Sequence, residues 1–309
     1  MAHYLVTGGA GFIGSHVTEQ LLRLGHKVRI IDNFVTGTRE KVIHGAEVIE
    51  ANIEDFDSIA SSFTGVDGVF HLAARPSVPF SVEHPIESAK TNMMGTLNVL
   101  VAARDAHVKR LVYSASSSAY GKNIPPHRIE MIPDPLSPYA MQKYVGEVHA
   151  RMFAELYDME TVSLRYFNVY GPRMNEVGAY VPVFSFFLRQ KRAGVALTIF
   201  GDGEQKRDFT HVTDVARANI AAMVSPRVGH GEVLNVGAGG GTSVNRIAEL
   251  FGGPVIHVQP RPGDIKDSQA DISRTMELLD WKPTIAFEEG LGEWLRMEGV
   301  TPVLRSLSA

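Results

Sequence analysis

The sequence predicts an α/β fold, a doubly wound parallel sheet that carries a smaller α/β lobe, and three observations support that prediction. Short apolar runs alternate with longer amphipathic stretches through the first half of the chain. A glycine-rich turn joins the first run to the first amphipathic stretch. After Gly171 the alternation loosens, and Pro and Gly are scattered through 171–205 and 226–264. Strand–helix alternation implies parallel strands joined by right-handed crossovers, with helices covering both faces of the sheet.

The apolar runs at residues 4–7, 27–31, 47–50, 68–71 and 110–114 are the first five strands, with amphipathic helices at 14–24 and 92–106 among the connections. A long helix over 138–157 precedes a sixth strand at 161–165. Further on, 212–223 reads as a helix and 233–236 as a strand that returns to the main sheet. The expected division is a nucleotide-binding domain over 1–170, with 211–237 packing back onto it, and a substrate-binding lobe over 171–309. Internal repeats and low-complexity tracts are not seen.

A chain of 309 residues buries most of the surface it exposes when unfolded, so a full core needs no staples. Its 44% hydrophobic and 21% charged residues are ordinary for a soluble globular protein. The net charge of −4 provides no general basic field for nucleic acid or anionic lipid, so an anionic ligand must be held by local groups. There are no cysteines, which excludes disulfides, thiolate catalysis and Cys-ligated metals, and fits a reducing cytosol. The start of the chain reads directly into a strand, with no signal-peptide pattern, and no apolar run approaches the roughly 20 residues that span a bilayer. The expectation is a cytoplasmic protein that takes neither nucleic acid nor membrane as a partner. The histidines, His71 and His211 included, lack ligand spacing, so no metal is expected.

The turn Thr7-Gly8-Gly9-Ala10-Gly11-Phe12-Ile13-Gly14 lies between the first strand and the first helix. Gly8 permits the tight turn, Gly11 lets the backbone approach a pyrophosphate, and Gly14 lets helix and strand pack closely. The helix N-terminus then offers amide donors and its positive dipole end to phosphates. A lone glycine triplet is weak evidence, but here the strand–turn–helix context is present and Asp32 ends the second strand. This is the Rossmann-type form of the architecture. A carboxylate at Asp32 accepts hydrogen bonds from ribose hydroxyls and repels a 2′-phosphate, and the nearest downstream cation, Arg39, is seven residues away, so NAD is favoured over NADP.

In Ser137-Pro138-Tyr139-Ala140-Met141-Gln142-Lys143 the tyrosine and lysine are four apart and share one helix face. A tyrosine that acts as a base must have its ordinary value near 10 lowered to about 7, which costs about 4 kcal/mol. An ammonium at about 4 Å supplies a comparable amount at an effective dielectric near 20, and an oxidised nicotinamide adds to it. The fifth strand runs into Ser114-Ala115-Ser116-Ser117-Ser118-Ala119-Tyr120-Gly121, where a hydroxyl can bridge the substrate oxygen and Tyr139. A tyrosine–lysine pair alone is common by chance; following a nucleotide turn and a serine cluster it reads as catalytic.

These residues together resemble the extended short-chain dehydrogenase/reductase family, and within it the UDP-glucose and UDP-N-acetylglucosamine 4-epimerases. The likeness covers nearly the whole chain. It includes His71-Leu72-Ala73-Ala74, Asn92 in Thr91-Asn92-Met93-Met94-Gly95-Thr96, and Arg165-Tyr166-Phe167-Asn168-Val169-Tyr170-Gly171-Pro172-Arg173. It continues through Gly201-Asp202-Gly203, Arg207-Asp208-Phe209 and Arg261-Pro262-Gly263-Asp264. The resemblance implies a catalytic set of Ser116, Tyr139 and Lys143. Cofactor contacts are implied for Gly8, Gly11, Phe12, Ile13, Gly14, Asp32, Asn33, Asn52, Ile53, Leu72, Ala73, Ala74, Asn92, Ser114, Tyr139, Lys143 and Tyr166. Substrate contacts are implied for Ser116, Ser117, Ser118, Tyr139, Asn168, Arg207, Arg261, Asp264 and Ser268. Arginines that hold a diphosphate on an otherwise acidic chain make physical sense.

Two departures from the family pattern bear on function. Asn52 stands where such enzymes often carry an aspartate to bind adenine; an amide can both donate and accept there. Dehydratases and decarboxylases that resemble this family place an acidic residue shortly after the catalytic hydroxyl, where this chain has Ser117 and Ser118. The resemblance therefore implies oxidation and return at C4 of a UDP-hexose through a 4-keto sugar, the UDP-Glc/UDP-Gal pair and, because Ser268 is small, the UDP-GlcNAc/UDP-GalNAc pair. Alternatives are a hexuronate or GDP-sugar epimerase, a reductase on the same scaffold, or a non-catalytic NAD sensor. Met141, Tyr144, Val145, Val148 and Met152 form an apolar stripe on the Tyr139 helix. Core packing explains it, and so does the homodimer that the resemblance implies.

Overall fold

The structure is a computed structural model and describes residues 1–175, 183–260 and 266–303. The strands of the main sheet are β1 (His3–Thr7), β2 (Lys27–Asp32), β3 (Glu47–Glu50), β4 (Gly68–His71), β5 (Arg110–Ser116) and β6 (Glu160–Tyr166), joined by a late strand, β11 (His230–Val236). Their order is β11-β6-β5-β4-β1-β2-β3, all pairings parallel. The order reverses between β1 and β4, which leaves a crevice outside their carboxyl ends, where ligands of such sheets bind.

The helices are α1 (Phe12–Arg23), α2 (Phe56–Ala60), α3 (Val78–Glu83), α4 (Pro85–Ala89), α5 (Thr96–Asp105), α6 (Pro138–Tyr157), α7 (Val183–Arg192), α8 (Val212–Val224), α9 (Val244–Phe251), α10 (Ser273–Leu279) and α11 (Phe287–Met297). Alternate residues of each strand enter opposite cores. Val6, Ile30, Phe70 and Val112 pack with Val17 and Leu21 of α1 and Val215 and Ala222 of α8. Leu5, Ile31, Val69 and Leu111 pack with Val99 and Leu100 of α5 and Phe153 of α6.

Short strand pairs build the lobe: β7 (Asn168–Tyr170) with β10 (Phe209–His211), β8 (Leu197–Phe200) with β13 (Val255–Val258), and β9 (Lys206–Arg207) with β12 (Thr242–Ser243). Its own core holds Tyr170, Phe184, Phe187, Leu197, Phe251 and Trp294.

Two local differences from the sequence reading have physical causes. The helix expected over 92–106 is a π-helical turn, Lys90–Gly95, before α5 begins at Thr96. At Gly95 a Cβ would come within 2.7 Å of Ile53 Cδ1, so the widened turn packs directly on the segment after β3. On α6 the expected polarity is inverted. Its buried face carries Gln142, Lys143, Gly146 and Glu147, whereas Met141 and Met152 are 47% and 43% exposed and Tyr144, Val145 and Val148 half-buried.

Candidate active site

The glycine-rich turn is held by sterics. Gly8 adopts a φ of +72°, and a Cβ there would meet the Ala73 nitrogen at 2.7 Å. A Cβ on Gly14 would lie 2.1 Å from the Gly8 carbonyl oxygen. The turn therefore brings the N-terminus of α1 close to β1 and β4, and the space in front of Gly11 stays open to a phosphate-bearing group. Asp32 is buried at the end of β2, and its carboxylate accepts from the Ala10 N–H at 2.9 Å and the Phe34 N–H at 2.8 Å. Burial pushes this carboxyl up from its ordinary value, against the pull of those two donors.

A cleft of about 310 Å³ runs from the turn to the head of α6. Gly8, Gly11, Phe12, Ile13, Gly14, Asp32, Asn33, Ile53, Leu72, Ala73, Ala74, Ser114, Tyr139, Lys143 and Tyr166 all line it. The residues brought to this wall come from the carboxyl ends of six strands and from two helices, so the fold gathers what the chain disperses. Ser114 and Tyr166 satisfy each other, with hydroxyls 3.0 Å apart, and the Tyr166 hydroxyl donates to Asn219 Oδ1 at 2.8 Å. Burial pushes the Tyr166 phenol up to about 12.

Ser137 caps α6 by accepting from the Ala140 N–H, and Pro138 opens the first turn. The Tyr139 N–H donates to Ser81 Oγ at 3.1 Å, which fixes the head of the helix against α3. Lys143 follows one turn later and is 4% exposed, with its ammonium 4.5 Å from the centre of the Tyr113 ring. Burial lowers Lys143 from the ordinary lysine value to about 7, while the Glu147 carboxylate raises it. His71, beneath the cleft at the end of β4, pairs through Nδ1 with Thr7 Oγ1 at 2.7 Å and through Nε2 with Thr96 Oγ1 at 3.0 Å. Burial, with the Lys143 charge adding to it, lowers His71 to about 3, so its ring is neutral.

Ser116 ends β5, and its Oγ accepts from both the N–H and the hydroxyl of Ser118, at 3.2 and 2.8 Å. Its own proton is thereby left to donate. Ser116, Ser117 and Ser118 are half-buried. In the lobe, the backbone N–H and side-chain amide of Asn168 both donate to the Asp208 carbonyl. The Asp208 carboxylate, fully buried, accepts from the N–H groups of Ala238, Gly239 and Ala270 at 2.6–3.0 Å. Burial still pushes that carboxyl up to about 6. One side chain thus ties three lobe segments together beside Arg207. The Arg207 guanidinium donates to the carbonyls of Lys206 and Lys266, and the Ser268 N–H donates to the same Lys206 carbonyl at 3.0 Å. Arg261 and Asp264 lie outside the described residues.

Two expected cofactor residues do not line the cleft. Asn52 Oδ1 accepts from the Glu54 N–H at 3.1 Å, an Asx turn after β3. Asn92 is 1% exposed and gives its amide to Arg75, Ser88 and Gln142. Asn52 lies between Ala51 and Ile53, which do line the cleft, and Asn92 holds the backbone of Arg75 on the cleft wall. Conversely, Val35, Thr36, Arg75, Thr91, Met174 and Asn175 line the cleft and were not anticipated. The Arg75-Pro76 pair directly after Ala73-Ala74 was the one available signal; Met174 and Asn175 reach the cleft by tertiary contact alone. Arg173 grips α1 through His16 and Glu19, and the Lys41 ammonium donates to Asn175 Oδ1.

With this geometry in hand, comparison identifies the family. The model of the NAD dependent epimerase/dehydratase family matches residues 4–237. The chain belongs to that family. A UDP-glucose 4-epimerase of Mycolicibacterium smegmatis is 37% identical over 306 residues, 94% of this chain and 96% of that protein. The crystal structure of a Thermotoga maritima UDP-glucose 4-epimerase with UDP-glucose is 39% identical, with a TM-score of 0.90 over 96% of this chain and 99% of that one. A Methanobrevibacter ruminantium UDP-N-acetylglucosamine 4-epimerase, in complex with UDP-N-acetylmuramic acid, is 37% identical with a TM-score of 0.90 over 96% and 97%. The chain is an NAD-dependent enzyme of the UDP-sugar epimerase kind. The residues present fit the cofactor: a cradle at Gly8, Gly11 and Gly14 that a Cβ would fill, and a buried carboxylate at the end of β2. Among the described residues no helix is long and apolar enough to cross a membrane, and no group of His, Asp and Glu is arranged to hold a metal ion.

Proposed function

We propose that this enzyme inverts C4 of a UDP-hexose through a transient 4-keto sugar, with Tyr139 as its acid–base group. The observation that carries the reading is that Tyr139 and Lys143, one helical turn apart, both face the cleft that opens over the glycine-rich turn. Bound NAD supplies the reversible hydride acceptor that such an inversion needs.

The remaining work belongs to the chain's own side chains. Tyr139, as phenolate, takes the proton of the sugar 4-hydroxyl and later returns it. Lys143, which burial lowers to about 7 while the Glu147 carboxylate raises it, stabilises that phenolate when charged. Ser116 donates its free proton to the reacting oxygen and so shares the developing charge. Asn168, Arg207 and Arg261 hold the nucleotide diphosphate, and Asp264 and Ser268 border the sugar. A firm grip on the diphosphate and a loose one on the hexose let the keto sugar turn and present its other face.

The substrates are the UDP-Glc/UDP-Gal pair and, given the small Ser268, the UDP-GlcNAc/UDP-GalNAc pair. The names of the relatives above, which include both types, support this range. The apolar stripe of α6 faces outward, so a second copy of the chain covers it in a homodimer. The test is product analysis with UDP-Glc, UDP-GlcNAc and UDP-GlcA for the unmodified enzyme and Tyr139→Phe. The expected result is interconversion of the first two and a loss of turnover by orders of magnitude in the variant, with UDP affinity retained. Near-normal turnover by Tyr139→Phe overturns the acid–base assignment.

A further inference from the structure

Behind Lys143 lies a row of buried charges that never reaches the cleft. Glu147, one helical turn beyond Lys143, is 2% exposed, and Arg165 of β6 is 3% exposed. They form a two-pronged pair, Arg165 Nε to Glu147 Oε1 at 2.9 Å and Nη2 to Oε2 at 2.7 Å. The guanidinium stacks over Tyr120 at 4.6 Å, and the Tyr120 hydroxyl donates to Asn235 Oδ1 of β11 at 2.6 Å. Removing two charges from water is costly, and well-packed apolar residues of like volume serve stability as well or better. The row therefore asks for a role other than packing.

We infer that Glu147 and Arg165 are a positioning pair for Lys143: the carboxylate keeps the lysine ammonium charged and in place, and the guanidinium keeps the carboxylate in place. This rests on the reading of Tyr139 and Lys143 given above. The groups facing Lys143 leave Glu147 as its anionic neighbour among the described residues. From β4 comes His71, whose ring is neutral; from β5 comes Tyr113, whose phenol burial holds well above its ordinary value. Tyr139 precedes the lysine on α6 itself. Glu147 in turn is faced by Arg165 from β6 and by Arg151 on its own helix. The helix is pressed onto the sheet here, since a Cβ on Gly146 would meet the Tyr113 hydroxyl at 2.2 Å. That hydroxyl donates to the Lys143 carbonyl at 3.3 Å, so the lysine backbone has little freedom.

The sign of the effect follows from the charges. Without the carboxylate, burial and the remaining guanidinium both push the lysine further down, so its ammonium is lost at lower pH. The alkaline limb of the turnover profile then moves to lower pH, by about one pH unit in Glu147→Gln. In the double variant Glu147→Gln/Arg165→Gln the nearer negative and the farther positive charge are both gone, and the limb falls between that of Glu147→Gln and that of the unmodified enzyme. The neutral amide pair also keeps the test available if the single variant does not fold. A parallel readout free of turnover is the side-chain NMR titration of Lys143 in the cofactor-free protein, which moves in the same order. Loss of thermal stability with both the alkaline limb and the lysine titration unchanged overturns the inference and makes the pair purely structural. Near-normal turnover by Tyr139→Phe removes the reading beneath it instead, and the lysine titration still decides whether Glu147 and Arg165 govern Lys143.

Discussion

The side-chain amide of Asn92 closes on both backbone groups of Arg75, accepting from its N–H at 2.8 Å and donating to its carbonyl at 3.2 Å. The same amide donates to Gln142 Oε1 of α6 at 2.9 Å. Asn92 thus links the cleft wall after β4 to the helix of Tyr139, and the π-helical turn makes this reach possible by displacing the residue from regular α-helical register. Asn92→Ala removes these bonds and leaves buried partners unpaired. We expect a loss of about 3 kcal/mol in unfolding free energy, together with lower turnover. Denaturant titration and steady-state rates check this; full stability in the variant would show that water or a neighbour replaces the amide.

The glycine cradle predicts a sharp contrast between two alanines. Gly14→Ala must move the Gly8 carbonyl, because the new Cβ would lie 2.1 Å from its oxygen. Overpacking of this kind costs about 1–3 kcal/mol, here taken from the turn that meets the cofactor. NAD affinity falls by about tenfold or more. Gly240→Ala is the control, since nothing lies within 4 Å of its Cβ position. Calorimetric titration of both variants with NAD decides the matter, and equal affinities would contradict the assigned role of the turn.

Acid should weaken the fold through its buried imidazoles. The folded-state value of His71 is lowered to about 3, below the ordinary 6.5, so the unfolded chain binds the extra proton between those values. The stability His71 contributes is complete above pH 6.5 and is lost as pH falls through the window toward 3. His16, lowered to about 4 chiefly by burial, acts in the same direction, while Asp208, raised to about 6, opposes it. Comparison with His71→Gln isolates the first term: the stability advantage of the unmodified protein should shrink by about 3 kcal/mol between pH 7 and pH 4. A difference independent of pH would mean that folding does not shift the proton affinity of His71.

Much of this was legible from residue types alone, because the strands and their crossovers obey simple periodicities. β3 matches its expected bounds, and the runs at 27–31 and 110–114 extend to Asp32 and Ser116. The glycine turn was legible for the same reason, its requirement being local. Side chains whose partners are distant in sequence were not. Asn92 is an example: its bonds to the Arg75 backbone and to Gln142 span 17 and 50 residues of chain. Lys143 and Glu147 on the buried face of α6 reverse the usual polarity of a surface helix, and the pairing of Glu147 with Arg165 crosses from helix to strand. Met174 and Asn175 join the cleft wall from beyond the sixth strand, a contact that no local pattern encodes.

β11 completes the sheet at its edge beside β6, yet the chain delivers it only after passing through much of the lobe. The two strands pair across some sixty residues of intervening chain, so their union has a high contact order and must await closure of a long loop. Until it arrives, β6 presents an open row of backbone donors and acceptors, and α8 has not yet covered its face of the sheet. A fragment ending near Tyr170 would keep that edge bare and tend to self-associate, which makes the two parts of the molecule one cooperative folding unit.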